Sequence, residues 1–193
     1  MHKWPKITRL SLAEHEANVS IACVILSKKM DLDDKLCSKI GKYAALHDIG
    51  KFFIDPTILD KEGPLSANEI KLVREHPIAG YQHLMAHSQA AHLEVAAQIA
   101  LNHHEHWDGT GYPYGKVGAD ISLPGRIVAV CDVYAALRER RPYKIGMGHA
   151  EAVRAVASGA GAQFDPKVIE AFLQIEHRIE RALASRFTVS ETG

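Results

Sequence analysis

Ala44-Ala45-Leu46-His47-Asp48-Ile49-Gly50-Lys51 is the stretch on which the reading turns. An apolar helical run ends here, a His-Asp pair follows, and Gly50 permits a tight turn. Adjacent helical residues point about 100° apart, at 3.6 residues per turn. One cation can therefore take the His47 imidazole while the Asp48 carboxylate turns toward a second. A carboxylate has two oxygens and can bridge two cations; a single imidazole nitrogen cannot.

Outward from this pair, the pattern is helical. A first helix is expected over residues 6–29, with Leu10, Val19, Ala22, Cys23 and Leu26 near one face. Asp31 or Asp33 caps a second, running to Leu46. Asp55-Pro56 and Gly63-Pro64 punctuate a turn-rich stretch. Ser66-Ala67-Asn68-Glu69 reads as a capping box that opens a third helix to about Met85. A fourth is expected over residues 88–104, followed by a glycine-rich loop to Leu123. Pro124 sits in the first turn of a helix ending at Arg138, and residues 149–158 form a short one. Asp165-Pro166 opens the last, to about Ser185. No strand-like alternation of useful length appears. The expectation is an all-α, single-domain helical bundle covering residues 1–193.

Composition narrows the function. Lys plus Arg and Asp plus Glu are equal, at 23 each, which argues against gripping long nucleic acid through a broad basic surface. A small anionic ligand met by a few local cations stays open. No apolar run approaches the length of a membrane span, and the N-terminus does not lead into a signal-peptide core. Cys23, Cys37 and Cys131 are widely spaced and read as buried or free thiols of a reducing compartment. A cytoplasmic location is expected. Histidine is abundant, at 12 residues, and it is both the commonest metal ligand and the usual acid/base near neutrality.

Position decides which histidines matter. His103-His104 lies at a helix end, followed by Glu105-His106-Trp107-Asp108-Gly109-Thr110-Gly111-Tyr112-Pro113. Asp132 stands inside the apolar run Ile127-Val128-Ala129-Val130-Cys131-Asp132-Val133-Tyr134, where a charge is costly to bury unless paired or bound to a metal. His76 precedes Pro77, and His15 sits among apolar residues of the first helix. His83 is seven residues beyond His76, about 10.5 Å along a helix and too far for the same ion. His83, His87, His92, His106, His149 and His177 read as ordinary surface or boundary residues.

Taken in order, these motifs resemble the HD-GYP branch of the HD phosphohydrolase superfamily, over residues 11–172. They are His47-Asp48-Ile49-Gly50-Lys51, Glu75-His76-Pro77 and His103-His104-Glu105 with the loop through Tyr112-Pro113. Asp132-Val133-Tyr134, Arg141-Pro142-Tyr143-Lys144 and Gln163-Phe164-Asp165-Pro166 complete the set. The resemblance implies metal-dependent hydrolysis of cyclic di-GMP to the linear dinucleotide or to GMP. It implies His15, His47, Asp48, His76, His103, His104 and Asp132 as ligands, with Asp48 as the bridge. His76, His103 and His104 would hold one ion, and His47 and Asp132, with His15, the other. An N- and O-donor set without thiolate suits iron or manganese. Lys51, Arg141 and Lys144 resemble the phosphate-contacting cations, and Tyr112 the wall of the substrate site. Asp48 and Lys51 are the residues expected to carry catalysis.

Several departures bear on this expectation. Ser11 stands where members with a third ion carry Glu, so a binuclear centre is expected. Ala135 replaces a frequent acid, and Arg138-Glu139-Arg140 replaces small polar and acidic residues. Another cyclic dinucleotide or nucleotide as substrate, or a catalytically weak nucleotide-binding module, are the competing readings. The first helix could pack against a second copy as a homodimer, and the resemblance suggests contacts with diguanylate cyclases or regulatory domains.

Overall fold

A computed structural model describes residues 9–87, 93–139 and 146–189. Its elements in chain order are α1 (Arg9–Lys29), α2 (Asp34–Ala44), a 3₁₀ turn (Ile49–Phe53), α3 (Pro56–Leu59), α4 (Ala67–Val73) and α5 (His76–Ala86). There follow α6 (Glu94–Asn102), a second 3₁₀ turn (Gly118–Asp120), α7 (Leu123–Arg138), α8 (His149–Ala157), α9 (Pro166–Leu173) and α10 (Glu176–Val189). Among the described residues there are two isolated β-bridges, Asp108 with Val117 and Ala160 with Phe164. The architecture is all-α, and none of the described helices is long and apolar enough to cross a membrane.

Local chemistry explains most of the helix boundaries. Asp33, not Asp31, caps α2 by accepting from the Leu36 N–H at 2.9 Å. Asp31 takes φ 55°, a left-handed position that Asp tolerates better than most residues, and turns the chain after α1. The capping box at Ser66 and Glu69 opens α4. Ser122 and Asp165 cap α7 and α9, each with proline in the first turn.

Two expected helices are each broken in two. The helix from Ser66 to Met85 ends at Val73 and restarts at His76. Pro77 lacks an N–H and disfavours helical backbone before it, so it opens a helix and cannot continue one. The last helix breaks between Leu173 and Glu176, where no proline or glycine signals it. Buried Ile175 marks this corner, and the turn carries Ile179 and Leu183 back onto the core. The expected fourth helix is described from Glu94, and residues 88–92 lie outside the described residues.

The core runs through Val19, Cys23 and Leu26 of α1, Ile40 of α2, Ile99 of α6, and Ile127, Val130 and Tyr134 of α7. Ala96, Ala97 and Ala100 make α6 slim enough to lie close to its neighbours. Helix α7 is buried nearly all round, which makes its one internal acid, Asp132, conspicuous. The three cysteines are buried and unpaired, in line with the thiol reading.

Candidate metal centre

The site begins with a glycine. Gly50, in the 3₁₀ turn, lies so close to α5 that a Cβ on it would sit 1.9 Å from the His76 carbonyl oxygen. That contact presses the turn, and Asp48 at its head, against the start of α5. Asp48 Oδ1 then lies 3.2 Å from His76 Nε2 and 3.6 Å from His103 Nε2, while Oδ2 lies 3.4 Å from His47 Nε2. Lys51, one turn on, reaches back to Asp48 Oδ2 at 2.5 Å.

Helix ends orient three of the imidazoles. The last carbonyls of a helix have no partner within it. His47 Nδ1 donates to Ala44 O at 2.7 Å, His76 Nδ1 to Val73 O at 2.7 Å, and His103 Nδ1 to Ala100 O at 3.0 Å. In each case the histidine just beyond a helix end satisfies the carbonyl three residues back. With the proton on Nδ1, a neutral ring presents a bare lone pair at Nε2. The break before Pro77 is therefore what turns His76 inward.

Two groups of ligand atoms result. One atom each from Asp48, His76, His103 and His104 lie within 4.8 Å of one another, and so do those of His15, His47 and Asp132. His47 Nε2, 3.4 Å from Asp48 and 3.8 Å from Asp132 Oδ1, links the two groups. His15 enters from α1, with Nε2 at 2.9 Å from Asp132 Oδ1 and Nδ1 against the Glu139 carboxylate. Ser11 lies in α1, with its side chain outside what is described.

The donors fit a cation better than they fit one another. His47 Nε2, Asp48 Oδ1 and His104 Nε2 are buried and satisfy no hydrogen bond. His76 Nε2 and His103 Nε2 face each other at 3.4 Å although both are acceptors. Orphaned buried acceptors cost about 1–3 kcal/mol each, and a shared cation relieves several at once. Burial, then neighbouring imidazoles, holds His103 and His104 below the usual imidazole range. Burial would raise the Asp48 carboxyl, but Lys51 and His47 outweigh it and hold it well below. Asp132 is lowered in the same way by His15 and His47. Burial opposes a proton on His15, yet Asp132 and Glu139 push its pKa up to about 10. Every acid in the centre stays ionised, as a cation site requires.

The glycine-rich loop closes one wall. Glu105, 3% exposed, accepts from the backbone N–H groups of Tyr114 at 2.8 Å and Lys116 at 3.0 Å. The Tyr112 N–H donates to His104 O at 3.0 Å, and the Tyr112–Pro113 bond is cis. The Tyr112 ring is stacked on His104, with centroids 4.7 Å apart, and the Arg74 guanidinium lies 5.1 Å from its centroid. Arg126 reaches Asp165 at 2.6 Å, tying α7 to the start of α9 beneath this loop.

All seven histidines and aspartates singled out as ligands thus lie in one buried region, with Lys51 and Tyr112 on its border. Arg141 and Lys144 lie outside the described residues. His83 lies against His87 and Phe53, and neither histidine is in the two groups. The sequence reading gave no role to Arg74, Glu105 or Glu139. It also passed over His149 and His177, which form a third group with Glu176 at the α8–α10 corner. There Tyr134 Oη lies 2.9 Å from His149 Nδ1, and His149 Nε2 meets the Glu176 carboxylate. A hydrogen-bonded chain from tyrosine through imidazole to carboxylate accounts for that group. The signal for it was available in Glu176-His177 on a helix, but its partner, His149, is 27 residues away.

The chain resembles known proteins along most of its length. A cyclic di-GMP phosphodiesterase of Pseudomonas aeruginosa is 42% identical over 160 residues, covering 83% of this chain and 38% of that protein. A 3′3′-cGAMP-specific phosphodiesterase of Vibrio cholerae is 34% identical over 160 residues, covering 83% of this chain and 30% of the relative. The chain therefore spans about a third of the length of these relatives. Among solved structures, an HDG"Y"P protein from Bdellovibrio bacteriovorus superposes with a TM-score of 0.65 at 21% identity. It covers 88% of this chain and 54% of the other, and shows the same fold. The sequence profile of the HD domain matches residues 7–168, so with His47-Asp48 at the centre of its donor cluster the chain belongs to the HD-domain family.

Proposed function

We propose that residues 1–193 act as one HD-GYP catalytic domain that hydrolyses a phosphodiester of cyclic di-GMP. The observation that carries this reading is the pair of buried donor groups with orphaned acceptors at His47, Asp48 and His104. Asp48, His76, His103 and His104 would hold one divalent ion; His15, His47 and Asp132 would hold the other, with Asp48 turned toward both. A donor set of imidazole and carboxylate favours iron or manganese. Two such ions supply a water nucleophile at neutral pH and offset charge on the phosphoryl oxygens.

The protein's own contribution is placement. Backbone carbonyls at three helix ends hold the imidazoles in one tautomer, so their lone pairs converge before any ligand arrives. Lys51 sits against Asp48, and its charge is the one that would meet the scissile phosphate. Tyr112, stacked on His104 and beside Arg74, would form part of the wall of the nucleotide site. Arg141 and Lys144 are the further cations proposed to contact the phosphates. With a second messenger as substrate, the activity would lie in the cytoplasm. Pairing through α1 and contacts with diguanylate cyclases belong to the same proposal.

The similarity to a 3′3′-cGAMP-specific enzyme favours a second reading, in which a different cyclic dinucleotide is preferred. One experiment separates these readings from each other and from a binding module. Anaerobically purified protein is analysed for metal and assayed on a panel of cyclic dinucleotides. The expected outcome is two ions per chain and linear product from cyclic di-GMP, with Asp48→Ala losing both metal and activity. Faster turnover of 3′3′-cGAMP would establish the second reading. Metal-loaded protein that binds cyclic dinucleotides of the panel without forming product from any of them would overturn both.

A further inference from the structure

We propose that Glu139 is a positioning residue of the metal centre, fixing the tautomer and direction of His15. The inference rests on the metal reading above and extends it to a residue outside the donor set. His15 differs from the other ring donors in where it sits. His47, His76 and His103 follow or close helical segments and use the carbonyl three residues back. His15 lies within α1, Arg9–Lys29, where the carbonyls behind it belong to the helix's own ladder. It has no free helix-end carbonyl to hold Nδ1, and an unheld imidazole can present either nitrogen to the site.

Glu139 supplies the missing acceptor from 124 positions along the chain. It is the C-cap of α7, and its backbone departs from the helix at φ −67°, ψ 135°, an extended geometry. Its N–H still bonds Ala135 O at 3.1 Å, so the residue is anchored to the helix that carries Asp132. From there its carboxylate meets His15 Nδ1, while His15 Nε2 lies 2.9 Å from Asp132 Oδ1. An ionised carboxylate only accepts, so each His15 nitrogen, Nδ1 at Glu139 and Nε2 at Asp132, carries a hydrogen while no cation is bound. A cation beside Asp132 would replace the hydrogen on Nε2, and Glu139 would keep the one on Nδ1 and with it the direction of the ring. One helix, α7, thus provides a donor of the centre and, about two turns later, the clamp on its neighbour.

Glu139→Ala should weaken one of the two Mn²⁺ equivalents by about 10- to 100-fold, the usual effect of removing such an outer partner. The other equivalent, at Asp48, His76, His103 and His104, should keep its affinity. Glu139→Gln, whose amide oxygen can still accept from Nδ1, should recover most of the loss. Competition of Mn²⁺ with a chelator, followed by electron paramagnetic resonance, reads this without turnover. The His15→Ala/Glu139→Ala double variant should lose no more than His15→Ala alone, because Glu139 acts through His15. A merely structural role would make the two losses add, and that result would overturn the proposal. So would parental affinity at both sites in Glu139→Ala. If Glu139→Ala fails to fold, Glu139→Gln set beside the parent and His15→Ala decides, a loss in Gln as large as that of His15→Ala counting against the role. If the parent chain itself binds no Mn²⁺, the metal reading and this proposal fall together; if only the Glu139 variants behave as parent, this proposal falls alone.

Discussion

Lys51 touches the same carboxylate that faces His47 and His76, so its charge can be expressed on the ligand, on the substrate, or on both. The two roles have different signatures. If Lys51 serves the phosphate, Lys51→Met should keep its metal content and lower kcat/KM by about 10²- to 10³-fold, the effect of deleting one preorganised donor. Metal analysis beside initial rates checks this, and loss of metal with unchanged affinity for cyclic di-GMP would reassign Lys51 to holding Asp48. The donors themselves were legible in the sequence for one physical reason. A histidine or aspartate in an apolar run, as at His47-Asp48 or Asp132, announces a cost that something must offset. Glu105 and Glu139 gave no such sign. Each stands among polar residues, and each acts on a group brought near only by folding: a loop backbone for Glu105, and an imidazole 124 positions away for Glu139. Arg74, at the end of α4, likewise reads as a solvated cation until the loop lays Tyr112 beside it.

At the scale of elements, the helix breaks do as much for the site as the side chains. Gly50 lets the 3₁₀ turn lie on the first turn of α5, and an added Cβ would meet His76 O at 1.9 Å and Gly80 N at 2.7 Å. Both obstacles are backbone, so relief requires the turn to move. Gly50→Ala should therefore cost about 1–3 kcal/mol, as overpacking commonly does. It should also carry Asp48 away from His76 and His103, so the Mn²⁺ affinity of that group should fall further than the stability does. Thermal melts in chelator, set beside Mn²⁺ titrations, compare the two, and a variant that melts lower yet binds Mn²⁺ like the parent would break the link between turn and site. The sequence made the glycine visible but not the neighbour it approaches. It also hid the split of one expected helix into α4 and α5, because the capping box at Ser66 and the apolar spacing beyond it continue past Pro77. The corner between α9 and α10 was hidden more fully. Burial of Ile175 fixes it, and burial is a property of the assembled core.

For the molecule as a whole, the all-α class followed from helical periodicity alone, and the solved HDG"Y"P protein shares the fold at low identity. The convergence of the elements was legible only through the ordered motifs. Donors come from α1, the end of α2, the turn after it, the start of α5, the end of α6, and α7, so a cation at the centre would bridge most of the bundle. The unfolded chain has no such convergence and binds a cation weakly. Metal binding should then add to global stability, by about 2.7 kcal/mol for one site when free metal is 100-fold above its Kd. For a chain of this size about 1 kcal/mol moves Tm by roughly 2–4 °C, so one site corresponds to roughly 5–10 °C. Stripping the protein with a chelator should lower Tm by at least that much, and added Mn²⁺ should restore it in a concentration-dependent way. Asp48→Ala, with the bridging carboxylate gone, should melt at a temperature that Mn²⁺ scarcely changes. Coincident melting curves for stripped and Mn²⁺-loaded parent protein would mean that the two donor groups do not join these helices through a cation.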